Sequence, residues 1–357
     1  MKKIIFSFLN MVALLVAGAA LVACSEKNLN VVEEIPEYSY SVSVNATKGE
    51  AAETDPDTRS LSLAGNVLNA TWLTTENVYV KKGSTWASSG TLKPQANGTS
   101  AVLKGSVTVT GSPIVATDEL FLQFPKSGEP DYTGQKGTIA DIAANFDYAT
   151  ATVTVDEVNG ETGILTTTAA NFVNQQAIVE FVLTNKTTST ALNVETLTIT
   201  AGGNVITVGP DSATNDLYVA VPGFAGGAFT LEATIGSNEF YYTNASFPYT
   251  IANSSFYKLP VKLRPVAINV SDPAALQVEV SKQEHNGNSI SYSIDSMAAS
   301  PVVTATTVDD WITNIATDAT TVTYSVTKHG TKALRTGHIT LSYSGASDVV
   351  ITVVQVG

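Results

Sequence analysis

Cysteine is nearly absent: Cys24 is the only one in 357 residues, so no intrachain disulfide can staple the fold. Histidine is almost as scarce, limited to His285, His329 and His338. No His-Glu-x-x-His pair, Gly-x-Ser-x-Gly elbow, phosphate-binding loop or dinucleotide fingerprint occurs. With no local signature of catalysis, the chain is expected not to be an enzyme and to need no cofactor or metal. Charged residues make up only 14% of the sequence, against roughly 25% in an average globular protein. The balance is acidic, with a net charge of −13, and an acidic surface repels phosphate backbones, so no nucleic-acid partner is expected. Long apolar runs are missing except at residues 4–23, which Lys2 and Lys3 precede. A basic start, a short apolar stretch and small residues at its end describe a secretory signal rather than a membrane span. Removing residues 1–23 takes away those two lysines and no acid, so −13 becomes −15.

The apolar run ends in Leu21-Val22-Ala23-Cys24. A cysteine directly after the small-residue site, with Ala at −1 and Leu at −3, resembles the lipobox of bacterial lipoproteins. That resemblance implies cleavage before Cys24 and acylation of its thiol and new amino group, a membrane tether in which several acyl chains hold where one does not. The alternative is a free thiol just past an ordinary signal, a reactive liability in an oxidising compartment.

What is abundant is Thr, Ser, Ala, Val and Gly, the residues of half-buried strands and the turns between them. Residues 25–37 read as a polar, acidic tether. Tyr38, Tyr40, Val42 and Val44 then alternate with serines, a period-two strand. Residues 51–60 follow as a loop in which Arg59 is the only basic residue. From Leu68 onward short alternating segments recur with turn signals between them. One stretch departs: Ile139, Ile142, Ala143 and Phe146 fall at helical spacing, with Thr138 and Asp141 placed as a capping box. A second run begins at Phe172, and Arg264-Pro265 reads as a boundary before a last set of strands. Regular strands without intervening helices indicate an all-β chain of antiparallel sandwiches. The expected division is a signal peptide (1–23), a tether with the first strand (24–59), a first sandwich holding the one short helix (60–165), a second sandwich (166–264) and an immunoglobulin-like sandwich (265–357).

Two family resemblances refine this. The segment 59–263 resembles the fimbrillin-like pilins and related lipoproteins of Bacteroidales. The residues that carry it are Thr58-Arg59-Ser60, Trp72 ahead of Val78-Tyr79-Val80, the run from Asp131 through Asp141, Phe146-Asp147-Tyr148-Ala149, Phe172 through Leu183, and Phe256-Tyr257-Lys258-Leu259. Two positions depart: Glu76-Asn77 stand where the family often has Gly-Asp, and Gln175-Gln176 where it has a histidine. Residues 265–357 resemble a BACON domain, on Asp310-Trp311-Ile312, the strand 321–326, Arg335 through Leu341, the Gly345-Ala346 turn and the strand 351–355.

The pilin resemblance makes Arg59 a candidate protease site. A cut there would remove the lipidated leader with the first strand, leaving unpaired backbone for a strand of another pilus subunit to fill. Arg59 is otherwise an ordinary solvated loop residue, in the kind of segment where proteolysis concentrates anyway. Trp311, Tyr324 and Tyr343 are candidates for an aromatic platform against sugar rings, with Trp311 and Tyr343 the named glycan contacts; the alternative is that Trp311 fills the sandwich core. Asp309-Asp310 and the Asp55/Asp57 pair lack the spacing of a calcium loop. The resulting expectation is a surface-exposed fimbrial protein of the outer membrane: a pilus tip, anchor or accessory adhesin meeting other subunits by donor-strand exchange. The alternative is a glycan-binding surface lipoprotein, with host or dietary glycans or host surface proteins as further candidate partners.

Overall fold

Alternation of inward apolar and outward polar side chains organises almost every segment of the computed structural model, which describes residues 35–48, 62–64 and 67–357. Strand β1 (Glu37–Lys48) shows it most plainly. Tyr40, Val42, Val44, Ala46 and Lys48 are buried, and the residues between them are exposed or half-buried. The strand thus runs past the expected 38–44 as far as Lys48.

The first sandwich adds β2 (Tyr79–Lys82), β3 (Ser100–Thr110), β4 (Glu119–Phe124), β5 (Ala149–Val158), β6 (Ile164–Thr167) and β7 (Ala170–Asn174). They pair in the order β2-β4-β5-β6-β1-β3, and β7 pairs with both β1 and β5. Val78 and Leu92 exchange both backbone hydrogen bonds at 2.8 Å, which joins the two ends of the path. Closure removes the edges that would otherwise invite aggregation. Trp72 is fully buried inside, edge-on to Phe124 (centroids 5.9 Å) and Phe172 (5.0 Å).

The second sandwich holds β8 (Ala177–Asn185), β9 (Thr196–Ala201), β10 (Asn204–Val208), β11 (Asp216–Val221), β12 (Gly227–Ile235), β13 (Asn238–Phe247) and β14 (Phe256–Pro265), ordered β10-β9-β12-β13-β14-β8-β11. The sheets are mixed rather than wholly antiparallel. β8 lies parallel to β14 from Ile178↔Phe256 to Asn185↔Leu263, and β1 lies parallel to β6 and β7.

The distinctive Asp131–Asp141 run explains how this second path closes. Its two ends are β10 and β11, and the run bridges them. Gly134 N–H donates to Thr207 O (2.9 Å), Gly209 N–H donates to Gln135 O (2.8 Å), and Tyr218 N–H donates to Gly137 O (3.0 Å). The fully buried Gln135 side chain acts as an extra strand residue. Its Nε2 donates to Ala220 O (2.7 Å) and Tyr132 O (2.8 Å), and its Oε1 accepts from Ala220 N–H (2.8 Å).

Helix α1 (Ile139–Asn145) follows. Thr138 Oγ1 accepts from Asp141 N–H (3.1 Å), as the spacing predicts, but the Asp141 carboxylate turns to Lys136 N–H (2.7 Å) and the Asn145 amide (2.9 Å), so only half of the capping box forms. Ile142, Ala143 and Phe146 belong to the second core, with Tyr132 and Tyr148. This corrects the expected division. The helix serves the second sandwich although its sequence lies inside the first. Leu165, Ala170 and Phe172 complete the first core, and the second resumes at Ala177, so no boundary falls at 165/166. The reason is the ladder: β6 and β7 are needed to flank β1.

The third sandwich packs two four-stranded sheets around one core. One sheet orders β15 (Ala267–Val270), β17 (His285–Asp295), β20 (Thr321–Val326) and β19 (Ile312–Thr317); the other orders β16 (Gln277–Val280), β22 (Val349–Gln355), β21 (Arg335–Ser342) and β18 (Thr304–Thr306). It meets the second sandwich where Glu239 N–H donates to Gly345 O at 2.7 Å. Gly345 is required there: its φ is +80°, and a Cβ would collide with the Glu239 side chain.

Replacing Gln135 by Leu keeps the volume but orphans the Ala220 N–H and C=O. A loss of about 2–4 kcal/mol is expected from two buried groups left unpaired. Urea unfolding measures the loss, and faster hydrogen exchange at the Ala220 amide places it at the bridge.

Candidate functional site

β1 occupies a slot bordered on both sides. Against β3 it pairs antiparallel from Glu37↔Thr110 to Thr47↔Ser100. Against β6 it pairs from Ser41↔Ile164 to Ser43↔Thr166, and against β7 from Ala46↔Ala170 to Lys48↔Phe172. Burying Val42 and Val44 contributes about 1.5–3 kcal/mol each. The Tyr40 hydroxyl accepts from Ile114 N–H at 2.8 Å, fixing the other end of the inward row.

The last inward position is a lysine. Lys48 is 1% exposed, and its ammonium lies 3.1 Å from Asp147 Oδ2 and 3.4 Å from Glu76 Oε1. It also sits 3.5 Å from the Phe124 ring centroid and 5.0 Å from that of Trp72. Both carboxylates are anchored elsewhere. Glu76 Oε2 accepts from Leu73 N–H (3.1 Å) and Asp147 Oδ1 accepts from Gln176 Nε2 (3.0 Å). One cation thus faces two buried anions. Burial pushes the Glu76 carboxyl above its ordinary value, and Lys48 pulls it only partly back. Among the described residues the Trp72 indole N–H and Gln176 Oε1 find no hydrogen-bond partner.

Lys48 did not emerge from the sequence, yet a signal existed: carrying the alternation of Val42 and Val44 through Ala46 puts a charge on the inward phase. The two departures from the pilin pattern also converge here, since Glu76 and Gln176 both belong to this cluster. Cys24, Arg59, Asp55 and Asp57 lie outside the described residues. Trp311 is half-buried, with the Arg335 guanidinium 4.3 Å above its ring and Gly337 packed close. Tyr343 sits beyond the far end of β21 and lines a cavity of about 310 Å³ with Tyr241 and Met297. The six residue steps from Gly337 to Tyr343 span about 20 Å of extended chain. Tyr324 is buried, and its desolvation raises its hydroxyl's pKa. The three aromatics therefore form no shared platform. Asp309 is committed to structure, accepting from His338 N–H at 2.7 Å.

No family model matches the sequence, and no curated protein matches it. Among solved structures, one described as a candidate cell adhesion protein of Bacteroides uniformis aligns at 11% identity over 62% of this chain and 93% of its own, with a TM-score of 0.31. Another, from Parabacteroides distasonis and described in the same terms, aligns at 10% identity over 63% of this chain and 88% of its own, also at 0.31. A Bacteroides ovatus GH5 xyloglucanase in complex with a XXXG heptasaccharide aligns at 20% identity over 25% of this chain, with a TM-score of 0.21, and this chain spans 18% of that enzyme's length.

The two signs of charge respond in opposite ways to removal. Lys48→Met leaves two buried carboxylates facing each other and is expected to destabilise the first sandwich by about 3 kcal/mol or more, read by Trp72 fluorescence in urea. Glu76→Gln is expected to be neutral or stabilising at pH 7. With its pKa raised on folding, Glu76 binds more protons folded than unfolded, so its contribution falls as pH rises from the unfolded to the folded value. The stability gap between Glu76→Gln and wild type should therefore close as pH is lowered through that window.

Proposed function

We propose that this chain is an exported, lipid-tethered subunit of a fimbria-like surface fibre, adhesive rather than catalytic. A cut at Arg59 frees the β1 slot for a strand from a neighbouring subunit. The observation that carries this reading is the position of β1. It is flanked on both sides within the first ladder, yet it joins the rest of the chain only through the segment that contains Arg59. Its loss would expose backbone donors and acceptors along β3, β6 and β7 and open the core that Val42 and Val44 close. An incoming strand restores both, which is how strand addition combines backbone affinity with side-chain specificity. Acylated Cys24 would hold the protein at the outer membrane until that cut.

The other end of the chain supports a terminal or accessory place over a repeating one. β22 is paired on both sides, with β16 and β21, and its Ile351 and Val353 are fully buried. Donating it would dismantle the third sandwich. A last described strand committed to its own sandwich suits a tip, anchor or accessory adhesin.

Limited digestion of the mature chain with an arginine-specific protease tests this. A single cut after Arg59 is expected, the two pieces co-eluting on sizing, and Arg59→Ala should stay intact. Excess synthetic peptide with the β1 sequence should displace the leader fragment. A resistant Arg59, or a nicked chain that never exchanges its first strand, would overturn the reading.

A further inference from the structure

We propose that the β1 slot is keyed by charge: a strand entering it from another subunit carries lysine or arginine at the inward position that Lys48 holds. The inference rests on the strand-exchange reading above and names the chemistry of the partner. The inward row reads Tyr40, Val42, Val44, Ala46, Lys48, at two-residue spacing. Apolar rows of this kind are common among β-strands and select weakly, because a shift of two residues preserves the facing. The fifth position is different. Glu76 and Asp147 are supplied by the body of the protein, from the turn after Trp72 and the turn after α1, and so remain when β1 leaves.

With the slot open, water can solvate both carboxylates. Refilling it strips that water away again. A methionine or valine at the fifth position would enclose two like charges without a counter-ion, and removing one partner of a buried ion pair is strongly unfavourable. A cation there meets two acceptors and two aromatic rings already in place. The penalty against neutral residues acts as discrimination against wrong strands. It also sets register, since a slip of two residues moves the charge out of reach. Phe124 and Trp72 add to the preference, because their faces attract a cation and the site is buried. The expected partner is a β-strand with apolar residues at alternate positions, ending in Lys or Arg on the same face.

The test uses the mature chain nicked after Arg59 and labelled synthetic peptides covering residues 35–49, competed to equilibrium against the retained leader fragment. Four peptides are compared: the natural sequence, Lys48→Arg, Lys48→Met, and one with Ala46 and Lys48 exchanged. The natural and Lys48→Arg peptides are expected to bind, and the other two at least about tenfold more weakly. Repeating the series with a nicked chain carrying Glu76→Gln and Asp147→Asn should reverse the preference, the Lys48→Met peptide now outbinding the natural one, because a buried lysine would then lack its counter-ions. Equal binding of natural and Lys48→Met peptides would overturn the charge key and leave strand exchange standing. Binding by none of the peptides would overturn strand exchange itself, and the key with it.

Discussion

The ammonium of Lys48 is the point at which separate parts of the chain are forced to agree. Glu76 comes from the turn that follows Trp72, Asp147 from the turn after α1, and Gln176 from the link that leads into β8. None of these segments belongs to a regular strand at that position; hydrogen bonds from Leu73 N–H to Glu76, from Gln176 to Asp147 and from Ser254 N–H to the Gln176 carbonyl hold them. The buried cation is their common partner, because each carboxylate is costly without it. The N-terminal strand therefore supplies the first core with apolar area and also meets the loops that hand the chain on to the second sandwich. Net stability from such a cluster is small or negative compared with well-packed hydrophobic residues, and its value lies in specifying one arrangement.

Edge closure is the second constraint, and it governs the first two sandwiches. Each of their ladders is completed by a segment foreign to its run of consecutive strands. β1 is inserted between β3 and β6 in the first sandwich, and the Asp131–Asp141 run bridges β10 and β11 in the second. The two devices differ in chemistry. β1 pairs through a long backbone register and an apolar row, whereas the bridge depends on one glutamine whose side chain imitates a peptide group at Ala220.

Period-two alternation made the strands legible in the sequence, and helical spacing at Ile139, Ile142, Ala143 and Phe146 correctly marked α1. What the pattern could not convey was which core each element serves. Phe146 and Tyr148 lie between two strands of the first ladder in sequence but pack in the second core, because burial is decided by long-range pairing that leaves no local trace. Lys48 was hidden for a related reason. A lysine usually ends the inward phase of a strand, since a charge is rarely fully buried unless paired. Its partners lie far along the chain, so only the fold reveals the pairing. The aromatic candidates show the converse. Trp311, Tyr324 and Tyr343 look alike in sequence, yet one lies beneath Arg335, one is buried in the core and one faces a cavity beside the second sandwich.

The first and last described strands are built on opposite principles. β22 lies inside a sheet whose other strands, β16, β21 and β18, are all local to the third sandwich, so its removal would expose that core. β1 begins the described chain inside a ladder whose neighbours can re-form the same hydrogen bonds with any extended segment. Backbone pairing is indifferent to sequence, and an apolar row is nearly so. A slot defined by those two features alone would accept almost any strand. Under the proposed strand exchange, placing the one charged inward residue at the end of the row, against anions held by other segments, gives the slot a sequence requirement that neither feature supplies. The cluster where the first and second sandwiches meet would then set the terms on which β1 is replaced.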